Sequence, residues 1–360
     1  MNNTEYLLLE QQIKTQLEEE HREDNNKKCV EKVLQFYMTH QEECDNSLSK
    51  YKMVDEHRRD YVELQQTITE QKFKGILSSH SDAKNILILT ANDIENNILI
   101  YNLFKYSKRK LMNYSLDNGD KFICVNINYC RLNNYNIIHH HVGKTGDEYT
   151  RRAINEVTHY FKPSFIILLG ICYGLDINKQ ELGMVEISEQ ITGVRINFRD
   201  EPNSNKIIFE PEIEFEEAPN SLLTNTVIRK LSNVEIISEE IKEPIKYNLG
   251  VIVSANSLMS CKVVKDAIMN KLKVDIKGKK SLIGGEMEAC GIFKSNYIDR
   301  DGQKFDKWLV VKSICDWGES KNSIKSDPDE NKHIKDSLQA LAMMNTCCLF
   351  KHLIEKNAIR

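Results

Sequence analysis

Three carboxylates stand where short apolar runs give way to polar, glycine-bearing segments. Glu95 follows the run Asn85–Leu89 through Thr90-Ala91-Asn92-Asp93-Ile94. Glu288 lies in Gly284-Gly285-Glu286-Met287-Glu288-Ala289, and Asp316 in Ser313-Ile314-Cys315-Asp316-Trp317-Gly318 after the run Trp308–Lys312. A fourth such place, Gly170-Ile171-Cys172-Tyr173-Gly174, follows the most apolar run of the chain, Phe165–Leu169. Taken singly, an acid of this kind is a helix cap or first-turn carboxylate, worth from a few tenths to about 2 kcal/mol. Taken together, separated carboxylates in one pocket can divide labour. One is held neutral as an acid, one stays ionised as a base, and a third accepts hydrogen bonds from vicinal hydroxyls.

A second polar cluster is His139-His140-His141-Val142-Gly143-Lys144-Thr145-Gly146-Asp147, followed by Arg151 and Arg152. Lys144, Arg151 and Arg152 near a helix start would suit an anion such as the 5′-phosphates of a nucleotide, or else form a solvated helix face. The Gly-Lys-Thr is not a P-loop, because isoleucine stands at 138 where the leading glycine is required. Strand alternation puts His139 and His141 on one face, but two histidines make an incomplete metal site, and no metal or cofactor is implied.

The elements that must position these residues read as α/β. Apolar runs at 85–89, 165–169, 251–253 and 308–312 alternate with helical stretches ending near Leu103, over Asp147–Phe161, from Val263, over Glu286–Ser295 and over Asn331–Ile354. Lys121–Ile127 and Asn136–His140 read as strands of a hairpin or meander, and residues 183–215 as several short strands. Such alternation predicts a central sheet flanked by helices, with ligands collecting at the carboxyl ends of strands.

The first 74 residues contain neither glycine nor proline, so the N-terminal segment is expected to be helical. Leu8, Leu9, Ile13 and Leu17 form one apolar stripe, Val30, Val33, Leu34 and Tyr37 a second, and a third helix is expected over Tyr51–Ile76. The expected organisation is a helical arm over 1–80 and a catalytic domain over 81–360. The arm is either a hairpin packed on the main domain or a module for oligomerisation or partner binding.

Composition excludes several classes. Lys+Arg 49 against Asp+Glu 53 leaves a net charge of −4, which argues against nucleic-acid binding as the main activity. Residues 1–80 hold 11 Lys+Arg and 16 Asp+Glu, so the arm carries 11 − 16 = −5 and the rest 38 − 37 = +1. No run is long and apolar enough for a membrane span, and a cytoplasmic location is expected. The ten cysteines include no CxxC pair, a poor fit to a zinc site or a disulfide framework.

The segments TANDIE, GICYGL, GGEMEA and VKSICDWGESK resemble, in order, the signature segments of the purine nucleoside phosphorylase and methylthioadenosine/S-adenosylhomocysteine nucleosidase superfamily, over about residues 84 to 355. The last motif resembles a bacterial branch found as effectors in anti-phage systems, some of them cleaving adenine nucleotides. The resemblance implies a nucleoside phosphorylase-like fold, a purine nucleoside or nucleotide as the small-molecule partner, and a homo-oligomer of at least two chains. It implies that Glu95 activates water, that Met287 and Glu288 grip the ribose, and that Asp316 works at the purine N7. Cys172, Leu258 and Met259 would line the base.

In the glycine segment this chain departs from the family, with the bulky Tyr173 beside Cys172, and this favours hydrolysis over phosphorolysis. The implied function is a purine nucleosidase acting on adenine nucleosides or nucleotides. The alternatives are a phosphate-dependent phosphorylase and a non-catalytic nucleotide-sensing scaffold.

Overall fold

The computed structural model describes residues 27–79, 82–117, 124–200, 207–232, 234–255, 262–275, 281–295, 304–318 and 324–359. The stripe at Leu8–Leu17 lies outside them. The described chain opens with α1 (Lys27–Thr39), α2 (Gln41–Glu56) and the one-turn α3 (Arg58–Tyr61), then strand β1 (Glu63–Thr69) and α4 (Glu70–Ser78). The continuous third helix expected over Tyr51–Ile76 is therefore broken by a strand. Freedom from glycine and proline permits a helix without enforcing one, and Thr67-Ile68-Thr69 is a β-branched triplet. Thr69 ends the strand by accepting the Lys72 N–H as the N-cap of α4.

From there the elements are β2 (Lys84–Thr90), α5 (Asp93–Tyr106), β3 (Met112–Asp117), β4 (Cys124–Leu132), β5 (Tyr135–His141), α6 (Asp147–Tyr160), β6 (Phe165–Gly174), β7 (Val185–Asp200), β8 (Ile207–Glu217) and α7 (Ser221–Leu231). They continue as β9 (Tyr247–Ala255), α8 (Lys262–Asp275), β10 (Leu282–Glu286), α9 (Cys290–Lys294), β11 (Trp308–Asp316) and α10 (Pro328–Glu355). The strands form one mixed sheet in the order β1-β3-β4-β5-β2-β6-β10-β9-β7-β11, with β8 pairing β7. Because β11 also pairs with β6 in parallel, the strands β6, β10, β9, β7 and β11 close on themselves as a barrel. The sheet begins at β1, before the boundary expected at residue 80.

Two sequence expectations differ in detail. Residues 183–215, expected as several short strands, are mostly the long hairpin β7–β8, bent by a register shift between Gly193 and Val194. The helix expected over Glu286–Ser295 is only Cys290–Lys294, because Glu286 ends β10 and turns its carboxylate back onto the N–H groups of Glu288 and Ala289.

Alternation sorts the core. Ile86 and Ile88 of β2 face one side with α5 and α10 residues, while Leu87 and Leu89 face the other with Ile154 and Val157 of α6, so the strand is buried on both faces. Helix α10 starts at Asp327, which caps the N–H groups of Asp329 and Glu330, with Pro328 in its first turn. From Ala340 to Phe350 every residue is buried, as expected of a helix enclosed on all sides. The arm is part of this packing. Cys29, Val33 and Tyr37, one face of α1, share a cluster with Cys172, Ile314 and Trp317, which flank the cleft described below. No described helix is long and apolar enough to cross a membrane.

Candidate functional site

Glu95 is the third residue of α5 and closes a capping box. Its N–H donates to Asn92 Oδ1 at 2.9 Å, and its own Oε2 accepts the Asn92 N–H at 3.3 Å. Oε2 also accepts the Ala91 N–H at 2.6 Å, and Oε1 accepts the Ile171 N–H from β6 at 2.9 Å. The carboxylate thus ties a helix N-terminus to the neighbouring strand end while lining a cleft. It caps a helix and is also available for chemistry. Burial raises its pKa and Glu288 adds to the rise, while Lys312 and the N–H groups of Ala91 and Ile171 oppose it.

The cleft floor is a buried charge cluster. Lys312 of β11, 1% exposed, donates from Nζ to Glu288 Oε2 at 2.7 Å and lies 3.3 Å from Glu286 Oε2. Burial disfavours the ammonium, but Glu288, Glu286 and Glu95 outweigh it and raise its pKa, so Lys312 stays charged. Burial also disfavours the Glu288 carboxylate, yet Lys312 holds its pKa below the ordinary value. Glu286 is pushed up to about 7, by burial first and then by Glu288, against the pull of Lys312. One cation therefore keeps Glu288 ionised while Glu286 and Glu95 sit where a proton is gained easily.

Asp316 ends β11 and also lines the cleft. Its Oδ1 accepts the Gly318 N–H at 2.7 Å, and the Cys315 thiol approaches Oδ2 at 3.3 Å. Lys265 of α8 donates to the Trp317 carbonyl at 2.8 Å, anchoring the turn. Tyr173 reaches the same wall because two facing residues have no side chain. A Cβ at Gly285 would fall 1.9 Å from Tyr173 Cζ, and one at Gly318, with φ +69°, 2.8 Å from Cδ2.

The structure brings Glu95, Cys172, Met287, Glu288 and Asp316 to one cleft, together with Tyr173, Glu286 and Cys315. Leu258 and Met259 lie outside the described residues. The second cluster divides differently. Thr145 lines the cleft, but Arg151 and Arg152 both pair with Glu148, at 2.5 and 3.1 Å, holding its pKa near 2. Lys144 lies over the Tyr149 ring, 5.2 Å from its centroid. None of the three is part of the cleft lining. His139 and His141 do share a face, both approaching Thr90 Oγ1, at 2.9 and 3.5 Å. The other His139 nitrogen meets Asn128 at 3.1 Å, and His141 pairs with Asp93 at 3.2 Å. Among the described residues no group of three or more His, Cys, Asp or Glu is placed to hold a metal.

Sequence reasoning did not single out Lys312, Glu286, Lys335 or Gln339, the last two lining the cleft from α10. A signal for Lys312 was present, since it interrupts the run Trp-Leu-Val-Val. A lysine inside a strand buried on both faces needs an anionic partner.

The fold of this barrel-bearing sheet is similar to that of solved methylthioadenosine/S-adenosylhomocysteine nucleosidases. The enzyme of Colwellia psychrerythraea 34H, in complex with adenine, matches over 76% of this chain and 96% of its own, with a TM-score of 0.50 and 14% identity. That of Neisseria meningitidis, in complex with methylthio-immucillin-A, matches over 76% and 99%, with a TM-score of 0.50 and 14% identity. In sequence, a death domain-containing ATP nucleosidase of Amphimedon queenslandica is 26% identical over 192 residues, which are 51% of this chain. The chain spans about a third of that relative, 34% of its length. No protein-family profile matches the chain.

Proposed function

We propose that the chain is a purine N-glycosidase that hydrolyses adenine nucleosides or nucleotides to free base and a ribose moiety. The observation that carries this is the sharing of one cleft by Glu95, Asp316 and Glu288, the last paired with the buried Lys312. In the reaction a water oxygen bonds to C1′ and the N9–C1′ bond breaks, its electron pair leaving with the base. Glu95 takes a proton from the water, and its buried carboxylate is the stronger base for that burial. Glu288, ionised beside Lys312, accepts hydrogen bonds from the 2′ and 3′ hydroxyls and offsets positive charge developing on the ribose. A proton passed at Asp316 to N7 neutralises the departing purine. The carboxylate is oriented for this by Gly318 and Cys315.

Hydrolysis is favoured over phosphorolysis by Tyr173, whose ring fills the space beside Gly285 and Gly318 that a bare glycine loop would leave for an anion. The test is chromatography of products from adenosine, methylthioadenosine, AMP and ATP, with and without phosphate. Adenine release independent of phosphate, lost in Asp316→Asn and Glu95→Gln, is expected. Equal products from wild type and Asp316→Asn, or no base from any substrate, overturns the proposal.

A further inference from the structure

We propose, resting on the hydrolytic function above, that the cleft mouth formed by Asn92, Thr145, Lys335 and Gln339 binds a 5′-phosphate, making the substrate a nucleotide rather than an alkylthio nucleoside. The assignment follows from dividing the lining by chemistry. On the proposed mechanism Cys172 and Asp316, with the adjacent Tyr173 and Cys315, take the base, and Met287, Glu288 and Glu95 take the sugar and its water, all of them lining the cleft. Besides Ile171, Gly285 and Glu286, the rest of the lining is Asn92, Thr145, Lys335 and Gln339, from three separate elements, the start of α5, the loop before α6 and the first half of α10. A thioether substituent would be met by apolar side chains. These four residues supply instead an ammonium, two amides and a hydroxyl, and no carboxylate.

Lys335 is half-buried; among the described residues it makes no hydrogen bond or ion pair, and it interacts electrostatically with the neighbouring Asp336. The nearby Asp336 is also within reach of Lys332, His333 and Lys52, so its charge is shared with them. Asn92 spends Oδ1 on the Glu95 N–H at 2.9 Å, which leaves its Nδ2 hydrogens to donate. The α10 backbone that carries Lys335 is pinned on both sides of it. Asp45 of the arm pairs with His333 at 2.9 Å and accepts from Ser337 at 3.3 Å. A cation at the mouth also answers an electrostatic need, since Glu95, Glu286, Glu288 and Asp316 line the cleft and Lys312, paired with Glu286 and Glu288, offsets only part of their charge, which would otherwise repel a phosphate.

The experiment measures kcat/KM for ATP, ADP, AMP, adenosine and methylthioadenosine on the full chain. It is paired with calorimetric binding of AMP, ATP and methylthioadenosine to the Glu95→Gln form, alone and combined with Lys335→Ala. Wild type is expected to favour the nucleotides. Lys335→Ala should lower the ratio of nucleotide to adenosine kcat/KM by about 10- to 100-fold, the worth of a charge-assisted hydrogen bond. Lys335→Arg should keep the ratio within a few-fold, and Lys332→Ala, an exposed change on the same helix, should not move it. Methylthioadenosine cleaved as well as the nucleotides, or a ratio unmoved by Lys335→Ala, overturns the subsite and leaves the hydrolase standing. If no compound is cleaved, the hydrolase fails, and the calorimetry decides the subsite alone. Nucleotide binding weakened by Lys335→Ala supports the subsite, and binding unchanged by it overturns it.

Discussion

A Cβ placed on Gly170 would stand 2.2 Å from Oε1 and 2.7 Å from Cδ of Glu95, so the Glu95 carboxylate occupies the volume that any side chain at 170 would need. Glu95 cannot retreat without losing the N–H groups of Ala91, Asn92 and Ile171. Gly170→Ala is therefore expected to displace the base while leaving the cleft otherwise built. Base release should fall by about 10²–10⁴-fold, the usual worth of a positioned base, and stability by about 1–3 kcal/mol from overpacking. Gly75 in α4 is the control, since a Cβ there meets nothing within 4 Å. Gly75→Ala should keep full activity and gain about 0.4–1 kcal/mol in a denaturant titration. Equal activities for the two variants would remove the steric account.

Lys312→Met leaves Glu286 and Glu288 buried beside an apolar side chain. Removing one member of a buried charge group typically costs about 3–5 kcal/mol, and here the carboxylates relieve it by taking up protons. The loss in melting temperature should thus be larger at pH 8 than at pH 5. The milder Lys312→Gln also withdraws a charge that holds the Glu95 pKa down. The acid limb of kcat/KM, which reports ionisation of the base in the free enzyme, should move to higher pH. An acid limb that stays in place would detach Lys312 from Glu95.

Much of this site was legible because strand ends are where an α/β sheet exposes polar groups, and the segments bearing Glu95, Glu288 and Asp316 each follow or flank an apolar run. What was not legible depends on pairing between distant segments. Lys312 acquires its meaning only from Glu286 and Glu288 on β10 and the turn after it, 26 and 24 residues away. Arg151 and Arg152 looked available until Glu148, one turn back, engaged both. β1 was hidden because Glu63–Thr69 is polar and joins the sheet edge only through β3, a partner no local pattern announces.

Glu186 offers a pH test separate from catalysis. It is fully buried in β7, with Oε1 accepting from Gln180 at 2.7 Å and Asn248 at 3.2 Å, while Oε2 has no partner among the described residues. Burial lifts its pKa from 4.5 to about 7, against the two amides. The folded state therefore binds this proton more tightly than the unfolded chain. Its stabilising effect is complete below about pH 4.5 and is lost as pH rises to about 7. The rise corresponds to about 3 kcal/mol. Glu186→Gln keeps shape and removes the titration. Relative to wild type it should gain stability between pH 5 and pH 8 in urea titrations. A difference that stays flat with pH would show that Glu186 ionises at an ordinary value.

Tyr173 and Gly285 form the tightest fit in the cleft wall, and a double-mutant cycle can measure it. A Cβ on Gly285 would lie 1.9 Å from Tyr173 Cζ and 2.0 Å from the hydroxyl oxygen, too close for any rotamer adjustment of a ring that Gly318 confines from another side. Gly285→Ala should force the ring out of place, destabilising by about 1–3 kcal/mol and cutting base release. Tyr173→Ala alone opens a cavity at a cost of about 3–5 kcal/mol. In the double variant the new methyl enters space the ring has vacated, so the second substitution should cost little. The coupling energy is expected at about 1–3 kcal/mol in the compensating direction. Thermal and urea unfolding of the four proteins gives that coupling directly. Additive losses would mean that Tyr173 and Gly285 do not share the space, and Tyr173 would then lose its role in filling the glycine loop against an anion.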